Sequence, residues 1–285
     1  NAAAIARLYE AKGRPAFNPL IAHVCDLEAA RRIARFDAQA ILLAEAFWPG
    51  PLTLVLPKSM DCPVADLATA GLDSIAIRVP AHSIARDILR AFGGPVVAPS
   101  ANLSGHVSPT TAAHVQSDLA GLIDLIVDGG AVAVGVESTI VGCFDTPMLL
   151  RPGGLPRGEI ERVLGRALLQ PPADADHDDG QPLAPGMLAS HYAPRTKVRL
   201  NAGRIATGEA LLAFGPAAMP GVDAATAVLN LSARGDLNEA AANLFGYLRS
   251  LDTKGAHTIA VMPVPHHGLG EAINDRLRRA AAARE

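Results

Sequence analysis

A chain of 285 residues, 49% of them hydrophobic, is long enough to bury two cores, and its net charge of −3 excludes a global basic field of the kind that coats nucleic acid or a membrane surface. An anionic ligand must therefore meet local cations. The three cysteines, Cys25, Cys62 and Cys143, form no Cys-x-x-Cys pair, and no apolar run approaches the roughly 18 residues of a membrane span, so reduced thiols in a cytoplasmic protein are expected.

Asn1 reads as the N-cap of a helix over 2–12, with Ile5, Leu8 and Tyr9 on one face and Gly13 as its stop. The chain opens on this helix without a methionine, from which an upstream piece is expected. An apolar run at 20–24, helices after Asp26 and Asp37, runs at 52–56 and 74–79, and a helix over 82–92 follow. Short runs at 96–98, 122–127, 138–141 and 148–150 continue the alternation, which predicts an α/β fold with a mixed sheet. From about 170 to 194 prolines and aspartates replace any periodicity, which reads as a linker. Beyond it, strands at 198–200, 211–214, 227–231 and 258–264 predict a smaller α/β domain. Its helices begin at a capping box, Asp236 with Glu239, and after Gly268.

Three constellations can carry chemistry. Lys12 and Arg14 flank Gly13 at a helix end stiffened by Pro15 and Pro19, a pairing suited to polyphosphate, although a solvated helix end is the plain alternative. The run 98–105, with Ser100, Asn102 and Ser104, follows an apolar strand, where sheet ligands bind; a surface turn has the same composition. Glu137-Ser138-Thr139 precedes Arg151-Pro152-Gly153-Gly154 by one strand, offering a hydroxyl and a guanidinium or merely a hairpin. No phosphate-loop motif G-x-x-x-x-G-K-S/T and no G-x-S-x-G elbow is present. Gly268-Leu269-Gly270 is either a small dinucleotide-like loop or a site of tight packing, and His266 and His267 read as surface residues rather than zinc ligands. Phe47-Trp48-Pro49-Gly50-Pro51 reads as a rigid turn that closes a core.

Taken in order, these segments resemble the Sua5/YrdC family of threonylcarbamoyl-AMP synthases. Lys12-Gly13-Arg14-Pro15 and Pro19 to Val24 are similar to its K-x-R-P and P-L-I-x-H-V signatures, Trp48 to Thr53 to W-P-G-P-L-T, and Ile77 to Pro80 to I-R-x-P. Pro99 to Gly105 is similar to P-S-A-N-x-S-G, and Glu137 to Val141 with Arg151 to Gly153 completes the set. The segments 184–194 and 268–276 resemble the linker and C-terminal end of the two-domain Sua5 branch.

The resemblance implies a YrdC-like catalytic domain over 1–168 built on a twisted mixed sheet, a linker or lid over 169–195, and a Rossmann-like α/β domain over 196–285. It implies synthesis of threonylcarbamoyl-AMP from ATP, L-threonine and bicarbonate, with Mg2+ accompanying ATP. The product serves threonylcarbamoyladenosine modification of tRNA, so tRNA or downstream transfer proteins are expected partners, and no membrane is. ATP is expected at Lys12, Arg14, Asn18, Ser74, Ser100, Asn102, Ser108, Arg151 and Tyr192, with Lys12 and Arg14 closest to the chemistry. Threonine is expected at His23, Arg78, the backbone of Ala98, and Ser138. The family's T-x-T-V-Y-G-L-type segment would lie ahead of Asn1; without it, weaker threonine binding and an exposed sheet edge are expected. Two other classes compete. An RNA-binding module is disfavoured by 4% aromatic content, and a carbamoyl-transfer domain of the hydrogenase-maturation type by the lack of paired zinc-binding cysteines.

Overall fold

The computed structural model describes residues 1–171, 184 and 191–282. The stretches 172–183 and 185–190, which hold most of the expected linker and its Ala184 to Pro194 motif, lie outside the described residues. In chain order the elements are α1 (Ala2–Lys12), β1 (Ile21–His23), α2 (Leu27–Arg31), α3 (Ala38–Phe47), β2 (Leu52–Pro57), α4 (Asp66–Thr69) and β3 (Ser74–Arg78). Next come α5 (Ser83–Phe92), β4 (Val96–Val97), α6 (Ala112–Leu119), β5 (Thr139–Gly142), β6 (Met148–Arg151) and α7 (Arg157–Leu164). The chain closes with β7 (Lys197–Arg199), β8 (Glu209–Ala213), β9 (Val228–Asn230), α8 (Leu237–Asp252), β10 (Thr258–Val261) and α9 (Gly270–Ala281).

Local chemistry sets the helix ends. The Asn1 side chain accepts from the amides of Ala3 and Ala4, and Gly13 closes α1 at φ 57°. Asp26 and Asp37 cap α2 and α3 through the amides of Ala29 at 2.8 Å and Ala40 at 2.7 Å. At α8 the expected capping box takes a relayed form. Asp236 accepts from the amides of Asn238 and Glu239, but the Glu239 carboxylate takes the Ser232 hydroxyl at 2.7 Å, and that hydroxyl in turn accepts the Asp236 amide at 2.9 Å.

The contacts divide the chain into two compact units, the first made of residues within 1–101 and 137–188, the second of residues within 102–136 and 189–285. The first unit holds a six-stranded mixed sheet in the order β4-β1-β3-β2-β5-β6. Alternation sorts its side chains by face: Leu52, Leu54, Leu56, Ile75, Ile77 and Val141 join one core, while Val55, Ala76 and Ile140 join the other. Ala30, Ile33, Leu43 and Ile160, from α2, α3 and α7 or next to them, cover the first face. The second unit holds a parallel sheet in the order β7-β10-β8-β9, with Leu244, Phe245, Leu248, Ile273 and Leu277 of α8 and α9 packed on one face.

Residues 102–136, within the catalytic domain expected over 1–168, share contacts with the C-terminal sheet, since Val107 and Val136 pack into the core that contains α8. One sequence expectation changes. The apolar run 122–127 is no strand: Leu122, Leu125 and Val127 are exposed and the run finds no ladder partner. Hydrophobicity makes a strand only where another strand offers its edge. α6 fills the same segment one step earlier, capped by the Thr111 hydroxyl, which accepts from the His114 amide.

Gly268-Leu269-Gly270 serves packing. A Cβ on Gly270 would fall 1.8 Å from the Pro265 carbonyl oxygen, so the backbone closes on itself where a loop for a dinucleotide would need room. His266 and His267 are exposed, and among the described residues no His, Cys, Asp or Glu cluster could hold a metal ion. The three cysteines are free; Cys143 is buried, whereas Cys25 and Cys62 are only partly so. No described helix is long and apolar enough to cross a membrane.

Candidate functional site

Strand register in the first unit sorts the expected site residues into two groups. β1 runs parallel to β3, with Ile21 opposite Ala76 and His23 opposite Arg78, and β2 runs antiparallel to β3, with Pro57 opposite Ser74. Ser74 and Arg78 therefore lie at opposite ends of one strand, about 13 Å apart at 3.3 Å per residue.

The group at the Ser74 end contains Lys12, Arg14, Asn18 and Ser100. β4 runs antiparallel to β1 and leaves it where the Ala98 amide donates to the Ile21 carbonyl at 3.1 Å, so Ser100 emerges beyond the start of β1. Ala98 has thus committed its N–H, and what its backbone can offer a ligand is the carbonyl. Lys12, at the end of α1, donates from Nζ to the Ser100 carbonyl at 2.6 Å. Arg14 ties the loop into β1, donating from Nε to the Asn18 carbonyl at 3.2 Å and from Nη2 to the Pro19 carbonyl at 2.9 Å. The Tyr9 hydroxyl adds a third donor to this knot, at 3.0 Å from the Asn18 carbonyl. The Asn18 side chain is fully buried, yet neither its amide nitrogen nor its oxygen has a protein partner. A buried carboxamide in that condition marks a place kept for a ligand or a water.

The second group, at the other end of the sheet, contains His23, Arg78, Ser138 and Arg151. β2 and β5 are parallel with Leu52 opposite Thr139, which sets Ser138 just ahead of β5, and β6 returns antiparallel with Arg151 opposite Ile140. A bulge between Ile140 and Val141 shifts this last register, a common device for re-aiming a side chain beside a site. Arg151, expected at ATP, stands at the Arg78 end of the sheet, tied to Ser138. Its Nε and Nη2 both donate to the Ser138 carbonyl, at 3.2 and 2.8 Å, and Nη2 also reaches the Ser138 hydroxyl at 3.3 Å. Arg78 donates from Nε to the Gly50 carbonyl at 2.9 Å. Burial and the Arg151 charge push Arg78 down to about 10.

The hydrogen bonds given above for Lys12, Arg14, Arg78 and Arg151 go to carbonyls and a hydroxyl, which orient these cations. Arg forks suit carboxylates and phosphates.

Residues Asn102, Ser108 and Tyr192 belong to the second unit. Asn102 is buried and closes its own turn, donating to the carbonyls of Leu103 and His106 at 2.9 Å each. Ser108 is buried, with its carbonyl held by Arg249. Tyr192, expected to reach ATP from the linker, is 1% exposed; its ring stacks on Phe245 at 5.5 Å and lies 5.0 Å from the Arg276 guanidinium. The ring is occupied inside the unit's core.

The family model Sua5_yciO_yrdC, described as telomere recombination, matches residues 1–153, and that of the threonylcarbamoyl-AMP synthase C-terminal domain matches 155–282. The chain is 43% identical to a threonylcarbamoyl-AMP synthase of Pyrococcus abyssi, over 99% of this chain and 85% of the relative. The chain belongs to the Sua5/YrdC family. A Bacillus subtilis protein of the same name is 39% identical over 100% of this chain and 85% of its own length. The crystal structure of P. abyssi Sua5 complexed with L-threonine superposes with a TM-score of 0.87 at 40% identity, covering 98% of this chain and 84% of that one.

Two residues not assigned a ligand from the sequence touch the candidate site residues. The Thr53 hydroxyl lies 2.7 Å from that of Ser138, and the Gly50 carbonyl anchors Arg78. Both lie in the Trp48 to Thr53 motif. Gly50 is demanded by a close approach, since a Cβ there would stand 2.2 Å from the Phe47 carbonyl oxygen. The motif itself was the available signal; the pairing of β2 with β5, which brings Thr53 to Ser138, is not local.

His23 gives a testable pH signature. Desolvation first, then the Arg78 charge, lower its pKa to about 4, and its Nδ1 has no protein partner. The imidazole is neutral at physiological pH, fit to exchange hydrogen bonds with a ligand and a poor general base. Because the unfolded chain takes up a proton near pH 6.5 and the folded one only near 4, stability is full above about 6.5 and falls as pH drops towards 4. The His23 Cε1–H resonance is expected to stay unmoved from pH 8 to 5, and His23→Gln to flatten the acid limb of stability. Titration near pH 6.5 in the folded protein would refute this.

Proposed function

We propose that this chain condenses ATP, L-threonine and bicarbonate into threonylcarbamoyl-AMP, releasing pyrophosphate and water, for threonylcarbamoyladenosine modification of tRNA. The observation that carries the reading is the placing of cations at both ends of one sheet, with Lys12 and Arg14 near the start of β1, and with Arg78 and Arg151 at the end that also carries the neutral His23. Arg78 and Arg151 are suited to the threonine carboxylate and His23 to its amine or hydroxyl, while Lys12, Arg14, Asn18 and Ser100 are suited to the nucleotide. The reaction needs several anions held together. The threonine nitrogen adds to the carbon of CO2 derived from bicarbonate and loses a proton, giving a carbamate. A carbamate oxygen then forms a bond to the α-phosphorus as the bond from that phosphorus to the bridging oxygen breaks, and pyrophosphate leaves. No covalent enzyme intermediate is needed; the protein orients the partners and stabilises charge.

Magnesium is expected with ATP. The site offers cations and neutral carbonyls, and no described carboxylate cluster fits a protein-held ion. Magnesium enters as part of the substrate, bound to the phosphates.

Incubation with labelled bicarbonate, ATP, magnesium and each amino acid in turn is expected to give labelled adenylate and pyrophosphate with threonine. Product formation independent of threonine, or none at all, would overturn the assignment.

A further inference from the structure

In the C-terminal sheet β7 and β10 are parallel neighbours, with Ala260 opposite Arg199, and the chain leaves them towards opposite faces. Beyond β7 it turns to the face where Ala202 and Ile205 pack with Leu211 and Ala260. Beyond β10 it turns to the other face, where Val264 and Leu269 pack with Leu212 and Ile259. Neighbouring strands whose exits diverge leave a crevice at their carboxyl ends, the place where open α/β sheets bind ligands. A cavity of about 80 Å³ lies there, with an apolar lining of Leu200, Val261 and Leu277 and polar groups that include Asn201, Asn274 and Arg278. Asn201 takes a left-handed φ of 52°, and the chain returns to β10 at the next residue, where the Ala202 amide donates to the Val261 carbonyl at 2.9 Å.

Asn274 and Arg278 stand one turn apart on the same face of α9. The Asn274 Nδ2 donates to the carbonyls of Val264, Pro265 and Gly270 at 3.0, 3.2 and 2.8 Å, which fixes the orientation of its amide and leaves Oδ1, an acceptor, to face a ligand. Arg278 makes no hydrogen bond among the described residues; its ion pair with Asp275 is long, at 3.8 Å, and its side chain is 69% exposed. A fixed acceptor beside an uncommitted guanidinium is complementary to a molecule that carries a hydrogen-bond donor and a carboxylate on neighbouring atoms. We propose that this crevice binds a small α-amino acid, its ammonium donating to Asn274 Oδ1 and its carboxylate held by the Arg278 fork. The cavity has the room of two or three waters at about 30 Å³ each, which suits the amine, α-carbon and carboxylate of one amino acid and excludes a nucleotide. The crevice lies wholly within the second unit and rests on no part of the synthase reading.

The test uses the full chain with isotope labels, and the ring of His266, which also lines the cavity, as a reporter. Glycine and alanine are expected to shift the His266 ring and the amides of 200–202 and 274–278 to saturation. Acetate lacks the amine and glycinamide the carboxylate, so each is expected to bind at least about 10-fold more weakly than glycine. Arg278→Gln, at an exposed position outside the core, is expected to weaken glycine binding by a similar factor. No saturable shift with either amino acid would overturn the proposal. So would binding of acetate or inorganic phosphate as tight as that of glycine, which would make the crevice a plain anion site, or an unchanged affinity for glycine in Arg278→Gln. The shifts are read at the crevice and not through turnover, so an absence of threonine-dependent adenylate would overturn the synthase reading alone.

Discussion

Replacing Arg151 with lysine is expected to lower kcat/KM about 10²- to 10³-fold, the range seen when one preorganised donor is lost from a charge-stabilising site. The charge survives the change, but the fork does not. Arg151 uses Nε and Nη2 together on the Ser138 carbonyl and reaches the Ser138 hydroxyl, which itself lies 2.7 Å from that of Thr53. A lysine has a single nitrogen for all of this. Arg151→Ala should add a stability cost of about 1–3 kcal/mol, because the buried Ser138 carbonyl loses its donors. Steady-state kinetics in both substrates with a denaturant titration separates the two effects. Since Arg151 is tied to Ser138, which the resemblance gives to threonine, the KM for threonine should rise in both variants; near-wild-type kinetics in Arg151→Lys would remove the role.

Gly153→Ala is expected to be the more damaging to the fold. A Cβ at Gly153 would lie 2.4 Å from both the Glu137 carbonyl oxygen and the Thr139 nitrogen, and 2.5 Å from the Ser138 carbonyl carbon. All three are backbone atoms of the segment leading into β5, so no flexible side chain can give way. The expected cost is about 1–3 kcal/mol or more, as for other overpacked cores. The strain falls on the peptide that Arg151 holds, so threonine binding should weaken with it. Gly158 offers a control. It lies in α7 with nothing within 4 Å of a Cβ and no positive φ, so Gly158→Ala should gain roughly 0.5–1 kcal/mol. Thermal unfolding of the two variants checks both signs; equal melting temperatures would refute the close-contact account of Gly153.

Much of the fold is legible in the sequence because its signals act over a few residues. Asn1, Asp26, Asp37 and Asp236 announce their helices by capping amides two or three positions on, and all four do so. Most strands of both sheets fall on apolar runs, β7 with its Lys-Val-Arg being an exception. The run 122–127 looks the same in sequence and forms no strand, because a ladder partner cannot be read locally. The relayed cap at α8 depends on Ser232, four residues ahead of Asp236, beyond the span of the usual pattern.

The candidate site divides along the same line. The residue types at Lys12, Arg14, Arg78, Ser138 and Arg151, and their order, are set by the sequence alone, and the ordered motifs that hold them are what resemble the family. Only the tertiary structure decided which of them meet. The β1–β3 and β2–β3 registers set His23 level with Arg78 and Pro57 level with Ser74, and the β5–β6 pairing brings Arg151 to Ser138. Packing on α8 gives residues 102–136 to the C-terminal sheet, and a core formed with Phe245 and Arg276 takes up the Tyr192 ring. Caps and periodicity are contacts between near neighbours, while register and core membership join residues far apart in the chain. The energy that selects those distant pairings comes from burial, which no short window of sequence contains.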